Sequence, residues 1–423
     1  MRTLRTLAAA SAAVLLSTLL VTTPATAASP TGHKKIQASE VPGGQILVTW
    51  GATTGVKYYQ VKVSSMPDMS QDVKTYKISK KKTSVTVKPA ANATATSGNY
   101  SFVRVYAIKK NGKVGESPYK KVRLTAPVAD PINPAVTVAT FNIRTKEADG
   151  SGGAKWAARK AAVAAEITAS GAAVVAIQEA GAKINSTCLP VIYIGTDGKN
   201  HKYKDCYWQF EELDDLLPTY SLVNKDEYSS GDGKESTRIL YDPSKVTLGE
   251  NGFFAPTKED ANLQFVPWAV FSPVATPENP TPKQFVFIAT HLANNAKGQK
   301  EQYWSKLRVK QAEKVIAFAK SKSQGRQVIV AGDMNSNMYT LPSNVVDKAF
   351  LKAGFFDAYS TAANQNEFFA TFNEFKKPKA SASRTDYIFT WGGPIGSFGY
   401  KNWIIRSGVM TSDHYMQSAT VPF

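Results

Sequence analysis

Thiols and imidazoles are scarce in this 423-residue chain, which has two cysteines and four histidines. Cys188 and Cys206, with His201 between them, match no usual zinc spacing, which argues against a thiolate metal site. Beyond the first two dozen residues no apolar run approaches the ~20 residues needed to cross a bilayer. Internal repeats are absent as well. Acidic side chains are sparse in one region only: residues 34–126 carry 4 of them against 17 Lys and Arg, which places a surplus of 13 of the net +18 there. Residues 127–423 are nearly balanced, with 32 basic and 29 acidic side chains. Any broad attraction to polyanions therefore belongs mainly to the N-terminal third. What is present in quantity, 43% apolar and 20% charged residues, excludes a wholly disordered, collagenous or coiled-coil polymer. The length predicts two folded units.

Arg2 and Arg5 precede an apolar run from Leu7 to Val21, and Ala25-Thr26-Ala27 supplies the small residues that a signal peptidase accepts. Residues 1–27 read as a cleaved signal peptide rather than an anchor, because Ser11, Ser17 and Thr18 interrupt a run already too short to span. The mature chain is expected to begin near Ala28 and to be secreted and extracellular. Outside the cell Cys188 and Cys206 are expected to pair, closing a loop of about 19 residues and stabilising the fold by roughly 3 kcal/mol.

Residues 34–125 show short alternating strands at Gln45 to Trp50, Tyr58 to Val63, Ser84 to Val87 and Ser101 to Ile108, with turns at Pro42-Gly43-Gly44 and Asn111-Gly112. That rhythm predicts a small all-β sandwich. Trp50, the Val103, Val105, Ala107 alternation and the Asn111-Gly112 hairpin resemble a fibronectin type III domain. Lys80, Lys81 and Lys82 read as a solvated hairpin. A stiff linker, residues 126–134, comes next, with Pro127, Pro131 and Pro134. Removal of residues 28–126 is expected to weaken retention on long polyanions and to spare the chemistry of the rest of the chain.

The second domain, residues 135–423, alternates strand and helix signals. Strands are predicted at Val136 to Ile143, Ala173 to Ile177, Arg238 to Tyr241, Phe265 to Phe271, Phe285 to Thr290, Val328 to Ala331, Asp386 to Thr390 and Gln417 to Val421. Helices are predicted at Lys155 to Ser170 and Glu301 to Lys320, where Trp304, Leu307, Gln311, Val315 and Phe318 recur at three and four. Together they predict an α/β domain with large sheets.

Polar residues able to hold a metal or move a proton end several apolar strand runs, where a sheet edge exposes side chains to a common cleft. Asn142 ends Val-Ala-Thr-Phe-Asn, Glu179 ends Val-Val-Ala-Ile-Gln-Glu, and His291 ends Phe-Ile-Ala-Thr-His. Asp333 and Asn335 close Val-Ile-Val-Ala-Gly-Asp-Met-Asn, Asp386 lies in Ser-Arg-Thr-Asp-Tyr-Ile-Phe, and Ser412-Asp413-His414 comes near the end. One such residue is usually a turn or cap. The ordered series is not explained by packing.

This series, above all Gly332-Asp333-Met334-Asn335 and Ser412-Asp413-His414, resembles the endonuclease/exonuclease/phosphatase superfamily, the fold of deoxyribonuclease I. The resemblance implies a four-layered αββα sandwich with a divalent-metal phosphoesterase site at one end, preceded here by an immunoglobulin-like sandwich. It implies Glu179 as the principal metal carboxylate, with Asn142 and Asp413 nearby, an oxygen-rich set suited to Mg²⁺ or Mn²⁺ and open to Ca²⁺. His414 is expected to pair with Asp386, Asp333 and Asn335 to orient water and bind phosphoryl oxygens, and His291 to face the phosphate from the other side. Glu235 stands where deoxyribonucleases keep an acid that pairs with the first catalytic histidine.

A phosphodiester repels hydroxide, so its hydrolysis needs a cation, a positioned water and a proton source. The set supplies all three. The expected protein is a monomeric, metal-dependent nuclease or other phosphodiesterase, whose basic N-terminal module holds nucleic acid or an anionic cell-surface polymer. Where deoxyribonucleases carry a DNA-gripping arginine two positions after the metal glutamate, this chain has Gly181. Two alternatives are a phosphatase or sphingomyelinase-like phospholipid phosphodiesterase, and a catalytically inactive polyanion-binding adhesin.

Overall fold

A computed structural model describes residues 35–423 apart from 42–44, 65–68, 70–72, 91–99, 124–134, 149–153, 182–189, 195–199, 205–207, 224–235, 255–265, 278, 296–299, 338–344, 360–363, 367–368, 379–383, 394–398 and 406. The predicted signal peptide, the linker 126–134, Cys188, Cys206 and Glu235 lie outside the described residues.

The N-terminal unit comprises β1 (Gln37–Val41), β2 (Gln45–Thr49), β3 (Val56–Ser64), β4 (Lys74–Ser79), β5 (Ser84–Val87), β6 (Tyr100–Lys109), β7 (Val114–Glu116) and β8 (Lys120–Arg123). One sheet has the order β1-β2-β5, and the other β4-β3-β6-β7 with β8 also paired to β6. Alternation decides the core. Ile46 and Val48 from one sheet meet Tyr59, Val61, Val63, Val103 and Val105 from the other, around Trp50. The turn at Asn111-Gly112 joins β6 to β7, with Gly112 at φ 77°, a conformation that favours glycine. Lys80 and Lys81 do form a turn, but it carries the chain from one sheet to the other: β4 pairs with β3 and β5 with β2, so no hairpin exists there.

The second unit continues with β9 (Ala135–Asn142), α1 (Trp156–Ser170), β10 (Val174–Gln178), β11 (Pro190–Ile194), β12 (Asn200–Lys204), α2 (Gln209–Leu216), β13 (Ser221–Leu222), β14 (Arg238–Tyr241) and β15 (Val246–Phe254). After these come β16 (Val266–Pro273), β17 (Phe285–His291), α3 (Glu301–Ser323), β18 (Gln327–Asp333), α4 (Val345–Lys352), β19 (Phe356–Asp357), β20 (Asn364–Gln365), β21 (Asp386–Trp391), β22 (Gly399–Asn402) and β23 (Gln417–Pro422). A seven-stranded sheet runs β13-β14-β10-β9-β23-β22-β20, and a six-stranded sheet β15-β16-β17-β18-β21-β19.

The central strands read as unbroken apolar runs because both of their faces are covered. In β17, Phe285 and Phe287 point between the sheets, whereas Val286 and Ile288 point toward α3 and α4. In β10, Val174 and Ala176 join the inter-sheet layer, whereas Val175 and Ile177 meet α1 and α2. The layers are therefore helix, sheet, sheet, helix, the architecture that the resemblance implies. The strand β15 escapes periodicity because it is an exposed edge with a register shift between Leu248 and Asn251. Helices α2 and α4 have eight residues each, too short to establish a period.

The two units are not beads on a string. Phe102 and Tyr119 of the N-terminal sandwich are buried in the same apolar cluster as Phe350 and Phe355 of the second unit. The Phe102 ring lies 6.3 Å from that of Phe356 in β19. Arg104 pairs with Glu116 in its own sheet and stands 4.0 Å from Asp347 at the start of α4. Burial and the neighbouring Asp357 push the Asp347 carboxyl up to about 7, against the pull of Arg104. The two units thus share an apolar cluster and a charged contact.

Two substitutions probe these layers. At Gly332 a Cβ would fall 1.9 Å from the Thr290 carbonyl oxygen of the adjacent strand, so Gly332→Ala is expected to cost about 3 kcal/mol, measured by urea unfolding. Phe102→Ala is expected to cost about 3 kcal/mol and to lower the melting temperature of the second unit itself. An unchanged second-unit melt, read by hydrogen exchange in β18 and β21, would refute the shared core.

Candidate active site

Strand direction brings the chemistry to one end. Parallel pairing sets Gln178 beside Asn142, so Glu179 emerges next to the end of β9. In the other sheet the parallel pair β17 and β18 sets His291 beside Asp333, and the antiparallel β21 starts there with Asp386 opposite Asp333. Because β23 runs antiparallel to β9 with Gln417 opposite Thr140, the preceding Ser412-Asp413-His414 lies at that same end.

Asp333 is the hub, at 1% exposure. One of its oxygens accepts from the Asn142 amide at 3.1 Å, and the other from the Asn335 backbone N–H at 2.9 Å. Nε2 of His291 lies 3.6 Å and Nε2 of His414 3.7 Å from Asp333 Oδ2. The Asn142 amide also donates to Glu179 Oε1 at 3.1 Å, and Thr145 N–H donates to Glu179 Oε2 at 3.0 Å. Nδ1 of His414 contacts Asp386 Oδ2 at 3.0 Å, and Asn335 Nδ2 lies 3.0 Å from His291 Nε2. Arg144 reaches Asp413 Oδ2 at 3.2 Å.

Backbone strain accompanies this convergence. Arg144 and Glu179 have φ 59° and Asn335 φ 49°, left-handed values that side chains other than glycine seldom adopt. Such conformations persist where the surroundings over-determine them. Arg159 is one such support: fully buried, it donates to the Ile143 and Arg144 carbonyls and to the Thr411 carbonyl at 3.0 Å. Ser412 donates to the Asn142 carbonyl at 2.6 Å, joining the last strand loop to the first.

The charges are made unequal by their surroundings. Burial alone raises the Glu179 carboxyl, but the His291 ring, the Thr145 N–H and the Asn142 amide outweigh it and hold it below the ordinary carboxylate range. Burial and Asp386 lift Asp333 above that range. Burial lifts Asp413 too, with Glu179 adding to it against His414 and Arg144. Burial disfavours the His414 cation, yet Asp386 and Asp333 push its pKa up to about 10. Four carboxylates, Glu179, Asp333, Asp386 and Asp413, thus gather at one place, where a divalent ion would favour their ionised forms.

The donor set fits a hard cation: oxygens dominate, and Glu179 is ionised and only half-buried. Asp333, Asp386 and His414 also present ligand atoms within 4.8 Å of one another. Asp386 is engaged by His414 through both of its oxygens and is fully buried, so it is better suited to hold the imidazole than an ion. The oxygen of the Asn142 amide accepts from Arg144 N–H at 3.1 Å.

All eight described candidates, Asn142, Glu179, His291, Asp333, Asn335, Asp386, Asp413 and His414, come together at this end of the two sheets. Sequence reasoning missed Arg144, Thr145, Arg159 and Thr371, whose hydroxyl accepts from the Asp386 N–H at 3.3 Å. Only the position of Arg144, two residues after Asn142, offered a signal. Phe372 was also missed; its ring packs 4.9 Å from that of His414.

A model of the Endonuclease/Exonuclease/phosphatase family matches residues 139–414. The chain belongs to the endonuclease/exonuclease/phosphatase family. Members of this family are phosphoester hydrolases that typically use divalent metals. Among solved structures, a family protein from Bacteroides thetaiotaomicron shares 19% identity with a TM-score of 0.51, covering 69% of this chain and 98% of that one. The mannosyl-6-phosphatase Bt3783 of the same species shares 20% identity at a TM-score of 0.49, covering 68% and 100%. A zebrafish (D. rerio) TDP2 complexed with a single-stranded DNA product shares 18% at a TM-score of 0.46, covering 69% and 100%. No curated protein matches the chain.

The raised pKa of His414 makes a stability prediction for this family member. Since folding lifts the pKa from 6.5 to about 10, the native state binds the proton more tightly than the unfolded one. The stabilisation is complete below pH 6.5 and is lost as pH rises toward 10. Metal-free protein is expected to lose thermal stability over that window, and His414→Gln to flatten the loss, in melts recorded with EDTA.

Proposed function

We propose that the chain is a secreted, divalent-metal-dependent phosphodiesterase that hydrolyses nucleic-acid phosphodiesters. The observation that carries this reading is the buried Asp386–His414 pair aimed at Asp333, beside an ionised Glu179. Glu179, Asn142 and Asp413 would hold Mg²⁺, Mn²⁺ or Ca²⁺. The bound ion would neutralise phosphoryl oxygens and lower the pKa of a nearby water. His414, kept cationic and oriented by Asp386, stabilises charge building on the phosphate and can return a proton. Asp333 and Asn335 orient water and phosphoryl oxygens, and His291 faces them from the other side of Asp333. Glu235 is assigned as the partner of His291, whose buried Nδ1 has no hydrogen-bond partner among the described residues.

We further assign the N-terminal sandwich as a fibronectin type III-like module that favours polyanions. The three-stranded and five-stranded sheets support the first part, and the charge surplus the second. No helix among the described residues is long and apolar enough to cross a membrane. Among the described residues the exposed large apolar side chains are Val73, Val114, Leu216, Val274, Tyr303 and Val409, which are far apart in sequence.

Plasmid DNA, RNA, sphingomyelin, a phosphomonoester and a chromogenic diester, each offered with Mg²⁺ and then with EDTA, test the reading. Nucleic acid and the diester are expected to be cleaved only with metal. His414→Ala is expected to lower kcat about 10³-fold, and Asp386→Asn nearly as much. Turnover of the monoester or lipid alone would select a phosphatase or phospholipase-type activity, and turnover of nothing would select the inactive adhesin.

A further inference from the structure

The strand β6 has two faces with different employment. Val103, Val105 and Ala107 point into the sandwich core. The intervening positions point outward, and the docked catalytic unit covers only the first of them, Phe102 and Arg104. Beyond Arg104 the same face continues into the open through Tyr106, Lys62 and Tyr58 and reaches Lys77. Pairing sets Lys62 beside Arg104, Gln60 beside both Tyr106 and Lys77, and Tyr58 beside Ser79. Lys62 Nζ lies 4.8 Å above the Tyr106 ring and Lys77 Nζ 4.7 Å above the Tyr58 ring. Lys77 is exposed, and Tyr58, Lys62 and Tyr106 are half-exposed. The acid on this face among the described residues, Glu116, pairs with Arg104.

Docking gives the face a direction. Phe102 lies against Phe356, which pairs with Thr390, well along β21 from Asp386. Arg104, two residues on, lies beside Asp347 in the first turn of α4. That turn is tied to the catalytic loop, since Val346 N–H donates to Ser336 Oγ at 3.4 Å, and Ser336 comes directly after Asn335. Along β6, Phe102 thus packs on β19, and Arg104 stands beside the turn that touches the residue after Asn335.

We propose that the outward face bearing Tyr58, Lys62, Lys77 and Tyr106 is a fixed track for an extended nucleic-acid strand, delivering it to the catalytic mouth. This rests on the phosphodiesterase reading and adds to it the binding surface and its geometry. Lysines spaced along strands meet successive phosphates, and the half-exposed tyrosine rings beneath them add aromatic contact to unstacked bases. The aromatic component favours nucleic acid over a sulfated glycan. The shared core at Phe102 and Tyr119 makes the track rigid, so it orients the strand as well as retaining it.

The test is the double substitution Lys62→Glu with Lys77→Glu in the full chain, at exposed or half-exposed positions that leave the core intact. Short and long single-stranded DNA, a chromogenic diester and heparin are compared by turnover and by fluorescence anisotropy across a salt series. The expected result is a KM for long DNA raised on the order of tenfold and a log–log salt slope shallower by about 1.4, with the small diester and the melting temperature unchanged. Unaltered binding of long DNA would overturn the track. Equal loss on the small diester would overturn it too, by placing the effect in the catalytic centre, and a loss confined to heparin would reassign the face to sulfated glycans. Anisotropy reports on the track even if the native protein cleaves no diester, an outcome that sinks the phosphodiesterase reading alone.

Discussion

A buried carboxylate links the two sheets at the end where the candidate site lies. Asp333, at the end of a strand in the six-stranded sheet, accepts a hydrogen bond from Asn142, at the end of a strand in the seven-stranded sheet. The same carboxylate faces both histidines. A charge so deeply placed is costly unless it is paired and hydrogen-bonded. Asn142, Asn335, His291 and His414 meet that requirement, and in doing so they become a site. A contact between the two sheets is thus also one that assembles the candidate site.

Around that centre the protein invests backbone conformation. Left-handed Arg144, Glu179 and Asn335 turn the chain just after strands that are otherwise regular, and the buried Arg159 clamps the carbonyls of two neighbouring loops. Rigidity of this kind holds a water or a phosphoryl oxygen at a set distance without reorganisation, which is where most electrostatic catalysis originates. The N-terminal sandwich extends the same principle. Its Phe102 and Tyr119 enter the outer apolar layer, while Arg104 meets an acid on the helix next after the catalytic loop. The module is braced against the enzyme, so its basic surface has a fixed bearing on the cleft.

Much of this was legible from residues in order. Continuous apolar runs such as Phe285 to Thr290 and Val328 to Ala331 announced strands covered on both faces, and the polar residue closing each run marked the end at which chemistry would gather. Short or irregular elements were not legible, because eight residues do not establish a helical period and the register shift in β15 breaks alternation. Arg144 and Thr371 were missed for another reason: their roles depend on loops approaching from distant parts of the chain. The expected hairpin at Lys80 to Lys82 failed because a local turn cannot reveal which sheet each flanking strand will join.

Pattern alone determined the fold class, the strand-end residues and the concentration of positive charge in the first third of the chain. These are one-dimensional properties of periodicity and composition, readable without knowing which segments meet. Tertiary structure decided which residues touch. Only the parallel and antiparallel registers place Asp386 on His414 and Asn142 on Asp333. Only the burial of Phe102 and Tyr119 shows that the two units share a core, because a surface aromatic and a docked one are the same letters until a partner surface covers them.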